Sequence, residues 1–405
     1  MKNKITRALV SAFAMLFLNS MVNANTTNVN GSVLYHFNSS KPIPSVNVAL
    51  IDQSGATIAT ATTSPNGTYS FANIPYGTYT LNATTNISPG GITMGDGFLM
   101  LLHLCNLYPF TPIQELASDL DGDGQVTWND YSTLVVGWFV QGYPFPVGDW
   151  VFEDITFTLN GNKTNVPTMG GSSSGDVNGT FVPTTRTEEI VEVSYINHAI
   201  TPEFNLDVYA KDITSTSAMG LVIDYPETVN INDVTCQLDD VNLNITENQI
   251  RISWVNQTFM SASINPSEPI VVIAGQINKK YDGNDIKFEI NSKSHFCDQD
   301  GNKINTRFAL PLLTTSADYL SASYPNPASE SAMISFSLPC DSKTILNVYN
   351  QNGQLVNALI NKDMAAGQYT INLPVQELTA GVYFYTLNTS GITNISQSKR
   401  LIVIH

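Results

Sequence analysis

The chain has 405 residues, a formal net charge of −16 at pH 7 and charged side chains at only 13% of its positions. That length suits about three or four domains rather than one. The acidic balance argues against nucleic acid as a partner, because no basic patch exists to displace counterions from phosphates. It also leaves carboxylates free for hard cations. Recurrent Thr, Ser, Asn and β-branched residues favour short strands joined by polar turns. That favours a mainly β, multidomain fold class, and patterning along the chain divides it into three β-sandwich domains plus a small α-helical module.

Residues 1–24 read as a signal peptide. Lys2, Lys4 and Arg7 precede the apolar run Ala8 to Leu18, and Val22-Asn23-Ala24 supplies small residues for cleavage after Ala24. No later stretch reaches the ~18 apolar residues of a membrane span, so no transmembrane segment is expected. Residues 25–86 read as a small β-sandwich. Val46-Asn47-Val48-Ala49-Leu50 alternates as a half-buried strand does, and Ser64-Pro65-Asn66-Gly67 forms a turn before Tyr69-Ser70-Phe71. The run from Ser64 to Leu81 resembles the carboxypeptidase-regulatory-like or collagen-adhesin B-type repeats of surface proteins, which implies a spacer without chemistry.

Residues 87–150 hold an internal repeat. Ile92-Thr93-Met94-Gly95-Asp96 matches Val126-Thr127-Trp128-Asn129-Asp130, and each copy runs into an apolar segment and then Tyr-Pro-Phe. Tyr131, Leu134, Val135 and Trp138 fall on one face of a helix, and Phe98 to Leu107 predicts a more buried one. Residues 151–187 are expected as a linker or long loop, rich in Gly, Ser and Thr from 168 onward. Residues 188–316 predict a sandwich of short alternating strands, for example Phe204 to Tyr209 and Ile250 to Val255. Its pattern is faintly similar to the cohesin and carbohydrate-binding sandwich group. Cys236 and Cys297 fall within it and either pair or stay as buried thiols; Cys105 and Cys340 lie elsewhere, and no cysteine has metal-ligand spacing.

Residues 317–405 carry, in order, Tyr324-Pro325-Asn326-Pro327, Asn352-Gly353-Gln354, Ala366-Gly367-Gln368-Tyr369, Leu378 to Tyr385 and a final Ser398 to Ile404 strand. This series resembles the type A sorting domain of type IX secretion cargo. The resemblance implies the type IX secretion machinery as a partner, and a secreted or cell-surface destination reached through the periplasm and outer membrane.

The strongest chemical signal is Asp119 to Asp130. A twelve-residue calcium loop needs oxygens at positions 1, 3 and 5, Gly at 6, a carbonyl at 7 and a carboxylate at 12. Asp119, Asp121, Asp123, Gly124, Gln125 and Asp130 fill these places, with Thr127 at position 9, so Ca2+ is the expected cofactor. Asp at position 12, a following helix and a paired repeat resemble dockerin type I modules, which implies a cohesin-like partner. The first copy departs from that pattern. Counting back from Asp96, positions 1, 3 and 5 are Thr85, Ile87 and Pro89. Within the expected linker, however, Asp176, Asn178 and Thr180 are spaced as positions 1, 3 and 5 and have no helix behind them. Either these residues form a local Asx turn, or they fold back to complete a second metal site with Asp96. Asp298 to Asn302 looks similar but lacks a twelfth-position carboxylate and reads as a hairpin turn.

No catalytic residues are expected. Gly171-Ser172-Ser173-Ser174-Gly175 spells a nucleophile elbow, but Ser173 has no strand-to-helix context in a Gly/Ser linker, and the five histidines lack ligand spacing. The expectation is a non-enzymatic structural or interaction protein of the cell surface, adhesin-like or scaffold-like. The alternative is a carbohydrate-binding component of a polysaccharide-degrading system, recognising surface glycans.

Overall fold

The computed structural model describes residues 25–160, 166–183, 191–314, 319–339, 341–391 and 394–405. The expected signal peptide and Cys340 lie outside the described residues. The chain divides into two compact units: residues up to Ile87 with Phe152–Gly171, and Ser88–Val151 with Ser172–His405.

The first unit is a two-sheet β-structure. Strand Thr26–Tyr35 pairs antiparallel with Thr68–Pro75 and, through Val33–Tyr35, parallel with Met169–Gly171. The other sheet orders Thr57–Thr62, Asn47–Asp52, Gly77–Thr84 and Ile155–Leu159. Alternation aims Val29, Val33, Tyr35, Val48, Leu50, Phe71 and Leu81 inward, and all are buried. The unit thus takes two strands from beyond the helical segment. This corrects the expected linker over 151–187, because Ile155–Leu159 is a strand and Met169–Ser173 is a fully buried one. Its small residues meet tight packing rather than a need for flexibility: a Cβ on Gly170 would lie 2.7 Å from the Phe37 ring, and one on Gly171 2.7 Å from Phe152.

In the second unit, each helix begins where a hydroxyl residue caps it. Helix α1 (Met94–Leu104) is capped by Thr93 with Asp96, α2 (Pro112–Ser118) by Thr111 with Gln114, and α3 (Trp128–Ser132) by Thr127 with Asp130. A π-helical turn, Thr133–Trp138, continues α3. Residues from Val193 onward form a sandwich. One sheet orders Val229–Cys236, Val271–Ile277, Glu203–Lys211, Arg307–Thr314 and Ile286–Lys287. The other orders Asn242–Ile245, Gln249–Val255, Ala218–Asp224, His295–Cys297 and Lys303–Ile304. Cys236 and Cys297 sit in different sheets and are free thiols, as is Cys105. Asp298–Asn302 is the hairpin turn joining Cys297 to Lys303, with Asp298 Oδ1 accepting from the Asp300 and Asn302 amides.

The helices lie on the outer face of the second of these sheets. Phe98, Leu134 and Phe139 share one apolar core with Ala218, Val222, Val255 and Cys297. The sandwich also satisfies backbone groups that the helices leave open. Ser253 Oγ donates to the Val135 carbonyl at 2.9 Å, Arg251 to that of Phe139 at 3.0 Å and Asn244 to that of Val140 at 3.2 Å. At the other end the Met94 amide donates to His295 Nε2 at 2.7 Å. His295 Nδ1 therefore carries the proton and donates to the Lys293 carbonyl at 2.6 Å. Burial, and then the Lys303 charge, push the His295 pKa down to about 3.

The C-terminal sandwich pairs Ser331–Leu338 with Gly367–Pro374, and orders Leu355–Met364, Ser342–Asn350, Gly381–Gly391 and Ser396–Val403 in its larger sheet. Asn326 of the Tyr-Pro-Asn-Pro segment donates to the Arg400 carbonyl at 2.8 Å and accepts from the Ile402 amide at 2.8 Å, tying the domain's first segment to its last strand.

Helix-on-sheet packing generates two expected outcomes. A Cβ on Gly95 would lie 2.2 Å from the Gly301 carbonyl oxygen. Gly95→Ala should therefore destabilise the second unit by about 1–3 kcal/mol in urea unfolding, although alanine is the better helix former. His295 is the second case. Its folded pKa lies below the ordinary 6.5, so the unfolded chain binds more protons, and stability should fall as pH drops from about 6.5 towards about 3. His295→Leu should flatten that dependence while lowering stability at pH 7, as read by thermal melts across the range.

Candidate metal centre

The loop over 119–130 is shaped by its own backbone. Gly122 and Gly124 adopt φ of 79° and 87°, which turn the chain around the first carboxylate. Asp119 Oδ1 accepts from the amides of Gly122 at 2.9 Å and Asp123 at 3.1 Å, and Oδ2 from that of Gly124 at 2.8 Å. Asp121 Oδ1 accepts from the Asp123 amide at 3.1 Å, and Asp123 Oδ1 from the Gln125 amide at 2.8 Å. Oxygens of Asp119, Asp121 and Asp123 lie within 4.8 Å of one another. Asp130 closes the loop from the first turn of α3. Its Oδ1 accepts from Leu120 at 2.8 Å and Asp121 at 3.2 Å, and its Oδ2 from the Thr127 amide and hydroxyl at 2.8 and 2.9 Å.

The structure also brings Asp96, Asp176, Asn178 and Thr180 together, and the arrangement repeats several bonds of the first loop, with Phe181 at position 6 where that loop has Gly124. Asp176 Oδ1 accepts from the Thr180 amide at 3.1 Å, as Asp119 does from Asp123, and its Oδ2 from the Phe181 amide at 2.9 Å, as Asp119 does from Gly124. Asn178 Oδ1 accepts from the Thr180 amide at 3.2 Å, as Asp121 does from Asp123. Asp96 Oδ1 accepts from the Asn178 amide at 3.1 Å, and its Oδ2 from the Thr93 amide and hydroxyl at 2.7 and 2.9 Å, as Asp130 does from Asp121 and Thr127. Gly179 shares the left-handed conformation of Gly122, with φ of 65°. Val177 is fully buried, as Leu120 is. Positions 1–6 of this second loop are therefore residues 176–181, and positions 7–12 are residues 91–96.

At the junction the Thr180 hydroxyl donates to the Gly91 carbonyl at 3.3 Å, so positions 5 and 7 meet although they are remote in sequence. A Cβ on Gly91, whose φ is 85°, would lie 2.3 Å from Asp176 Oδ2. Asp96 and Asp176 are both fully buried. Burial, and then the charge of Asp176, hold the Asp96 carboxyl well above the usual carboxylate range. A cation between the two would reverse both effects, and an all-oxygen donor set of carboxylates, an amide, a hydroxyl and a carbonyl suits a large hard ion such as Ca2+. Sequence reasoning missed Gly91, Thr93 and Phe181. The shared Thr at position 9 of both repeats was the available signal for Thr93. Ser173, the centre of the elbow-like motif, is buried in a strand and accepts from the Gly90 amide at 3.3 Å.

Comparison with known proteins assigns both ends of the chain. Residues 322–404 match the secretion system C-terminal sorting domain, and residues 28–87 the carboxypeptidase regulatory-like domain. No curated protein matches the chain. Among solved structures, the major pilin subunit of Bacillus cereus aligns at 11% identity over 94% of this chain and 96% of its own, with a TM-score of 0.31. A backbone pilin of Streptococcus pyogenes aligns at 9% identity over 93% of this chain and 80% of its own, with a TM-score of 0.28. The sixth cohesin of Acetivibrio cellulolyticus scaffoldin B, solved with a dockerin, aligns at 9% identity over 31% of this chain and 96% of its own, with a TM-score of 0.27. Among the described residues no helix is long and apolar enough to cross a membrane. The chain carries a type IX sorting domain and a carboxypeptidase regulatory-like domain, and it is exported by type IX secretion to the cell surface or beyond.

Proposed function

We propose that this protein is a non-catalytic structural or interaction component of the cell surface, whose dockerin-like helical module is clamped by two calcium ions and docked onto the chain's own cohesin-like sandwich. The observation that carries the reading is that bonds accepted at positions 1, 3 and 12 of loop 119–130 recur in the loop assembled from 176–181 and 91–96. Asp119, Asp121, Asp123, Asp130 and the Gln125 carbonyl would hold one ion, with Thr127 at position 9. Asp176, Asn178, Thr180, Asp96 and the Gly91 carbonyl would hold the other. The apolar helix faces that a separate cohesin would need are used on the sandwich of the same chain. The module therefore acts as an internal staple rather than as an adaptor for a partner.

Calorimetric titration of the metal-stripped protein should register two calcium-binding events. The double variant Asp119→Ala with Asp121→Ala should lose one, and Asp176→Ala with Asn178→Ala the other. Each pair should leave residues 90–150 more open to protease, because binding is coupled to local folding. An unchanged stoichiometry in either variant removes the corresponding site.

Export is tested separately. A chain ending at Ser321 keeps Tyr319, whose hydroxyl bridges the Ile200 amide and the Thr314 carbonyl of the sandwich. It should fold, bind calcium with normal stoichiometry and accumulate in the periplasm, as read by cell fractionation. Its normal appearance at the surface would contradict the sorting role.

A further inference from the structure

Two strand pairs among the described residues run parallel, residues 33–35 with 169–171 and Val193–Ala199 with 308–314. All the other strand pairs there run antiparallel. Both parallel pairs occupy the same place in the path of the chain. Thr26–Tyr35 is the first described strand of the first unit, and residues 169–171 are the last that the chain contributes to it. Val193–Ala199 and Arg307–Thr314 are likewise the first and last strands of the sandwich that carries the helical module. A parallel ladder is slightly the weaker kind per residue and needs a crossover connection. Equilibrium stability therefore does not account for its use at these two places.

The direction of the pairs decides what tension does to them. Load applied along the chain enters each domain at the N-terminal end of its first strand and leaves at the C-terminal end of its last. In a parallel pair these two points lie at opposite ends of the ladder. The strands are then pulled along their length in opposite directions, about 4.8 Å apart, and every bond between them is loaded at once. In an antiparallel pair both points would lie at one end, and the bonds would open one after another. The sandwich ladder is lengthened by the Phe308 amide, which donates to the Glu192 carbonyl at 2.9 Å. That of the first unit is lengthened by the His36 amide, which donates to the Gly171 carbonyl at 3.1 Å. One strand of each pair is shielded: Met169–Ser173 is buried throughout, as are residues 308–311, 313 and 314. Burial keeps water from replacing the bonds as they are strained. At the exit end the Tyr319 hydroxyl donates to the Thr314 carbonyl at 2.9 Å and accepts from the Ile200 amide at 3.3 Å, so it braces one strand against the other. We propose that residues 26–314 form a tension-bearing link at the cell surface, in which each domain passes load straight from its first strand to its last. Residues 36–168 and 200–307 lie off that path.

The test pulls the full chain in optical tweezers, at saturating calcium, through handles attached at Asn25 and Ser321. The comparison moves the handles and leaves the rest of the sequence unchanged. Handles at Asn25 and Pro167, or at Glu192 and Asn305, load the same parallel pairs from one end. Only handled chains that keep the parent's melting temperature are pulled. At one loading rate, end-to-end rupture should need several-fold more force than either one-end geometry, because forced unfolding reads the barrier rather than the equilibrium stability. The sandwich should give way in a single step that releases residues 200–307, about 370 Å of contour. End-to-end rupture at or below the one-end force, or release of residues 200–307 in a series of small steps, would overturn the proposal. Load transfer needs neither calcium ion, although it rests on the structural role proposed above. A negative result from protein with two calcium ions bound and normal surface display therefore removes the load path alone.

Discussion

Two carboxylates, Asp96 and Asp176, face each other out of contact with water, and the second unit is arranged around them. Each accepts hydrogen bonds from backbone amides and a hydroxyl. Neutral donors orient a carboxylate without cancelling its charge, so the pair is costly when both are ionised. The Asn178 side chain then donates to the Gly301 carbonyl of the sandwich at 2.9 Å. One residue thus contributes to the acid pair's loop and to the docking of the module.

That geometry explains why small residues gather where they do. Gly95 lets α1 meet the 298–302 hairpin, and Gly220 lets the sheet meet Phe139, whose ring a Cβ there would approach to 2.6 Å. Gly91 lets the backbone pass Asp176. All three sit at contacts with something remote in sequence. At Gly95 and Gly220 substitution fails because of a neighbour, not because of local helix or strand propensity, and at Gly91 the left-handed backbone adds to the clash.

Much of this is legible in the residues. The 119–130 loop is local, so its spacing alone specifies its hydrogen bonds, and Asp176-Val177-Asn178-Gly179-Thr180 keeps the same spacing. The alternating strands and ordered sorting segments are equally plain. Other features are obscured, for physical reasons. Gly170, Gly171 and the serines after them read as flexible linker, because composition cannot distinguish a residue that is small for freedom from one that is small for packing. Ala218 to Ile223 shows no alternation because the sandwich core covers one face and the helices the other. A continuous apolar run marks such a strand but does not say what lies on its second face. The completion of the first unit by Ile155–Leu159 is hidden for a related reason: pairing across a long insertion leaves no local trace.

The order in which the loop's halves are made has a consequence for assembly. Asp96 and the Asn178 amide that holds it are 82 residues apart, and the half that contains the helix is synthesised first. A chain emerging from its N-terminus therefore presents α1 with its acid in place but without the residues that enclose it. Closure can occur only after position 181 has been delivered, when the strands that complete the first unit are already available. The broken loop thus acts as a checkpoint on synthesis: the module cannot take its final form on a fragment that stops short of Phe181, however well its own helices are encoded.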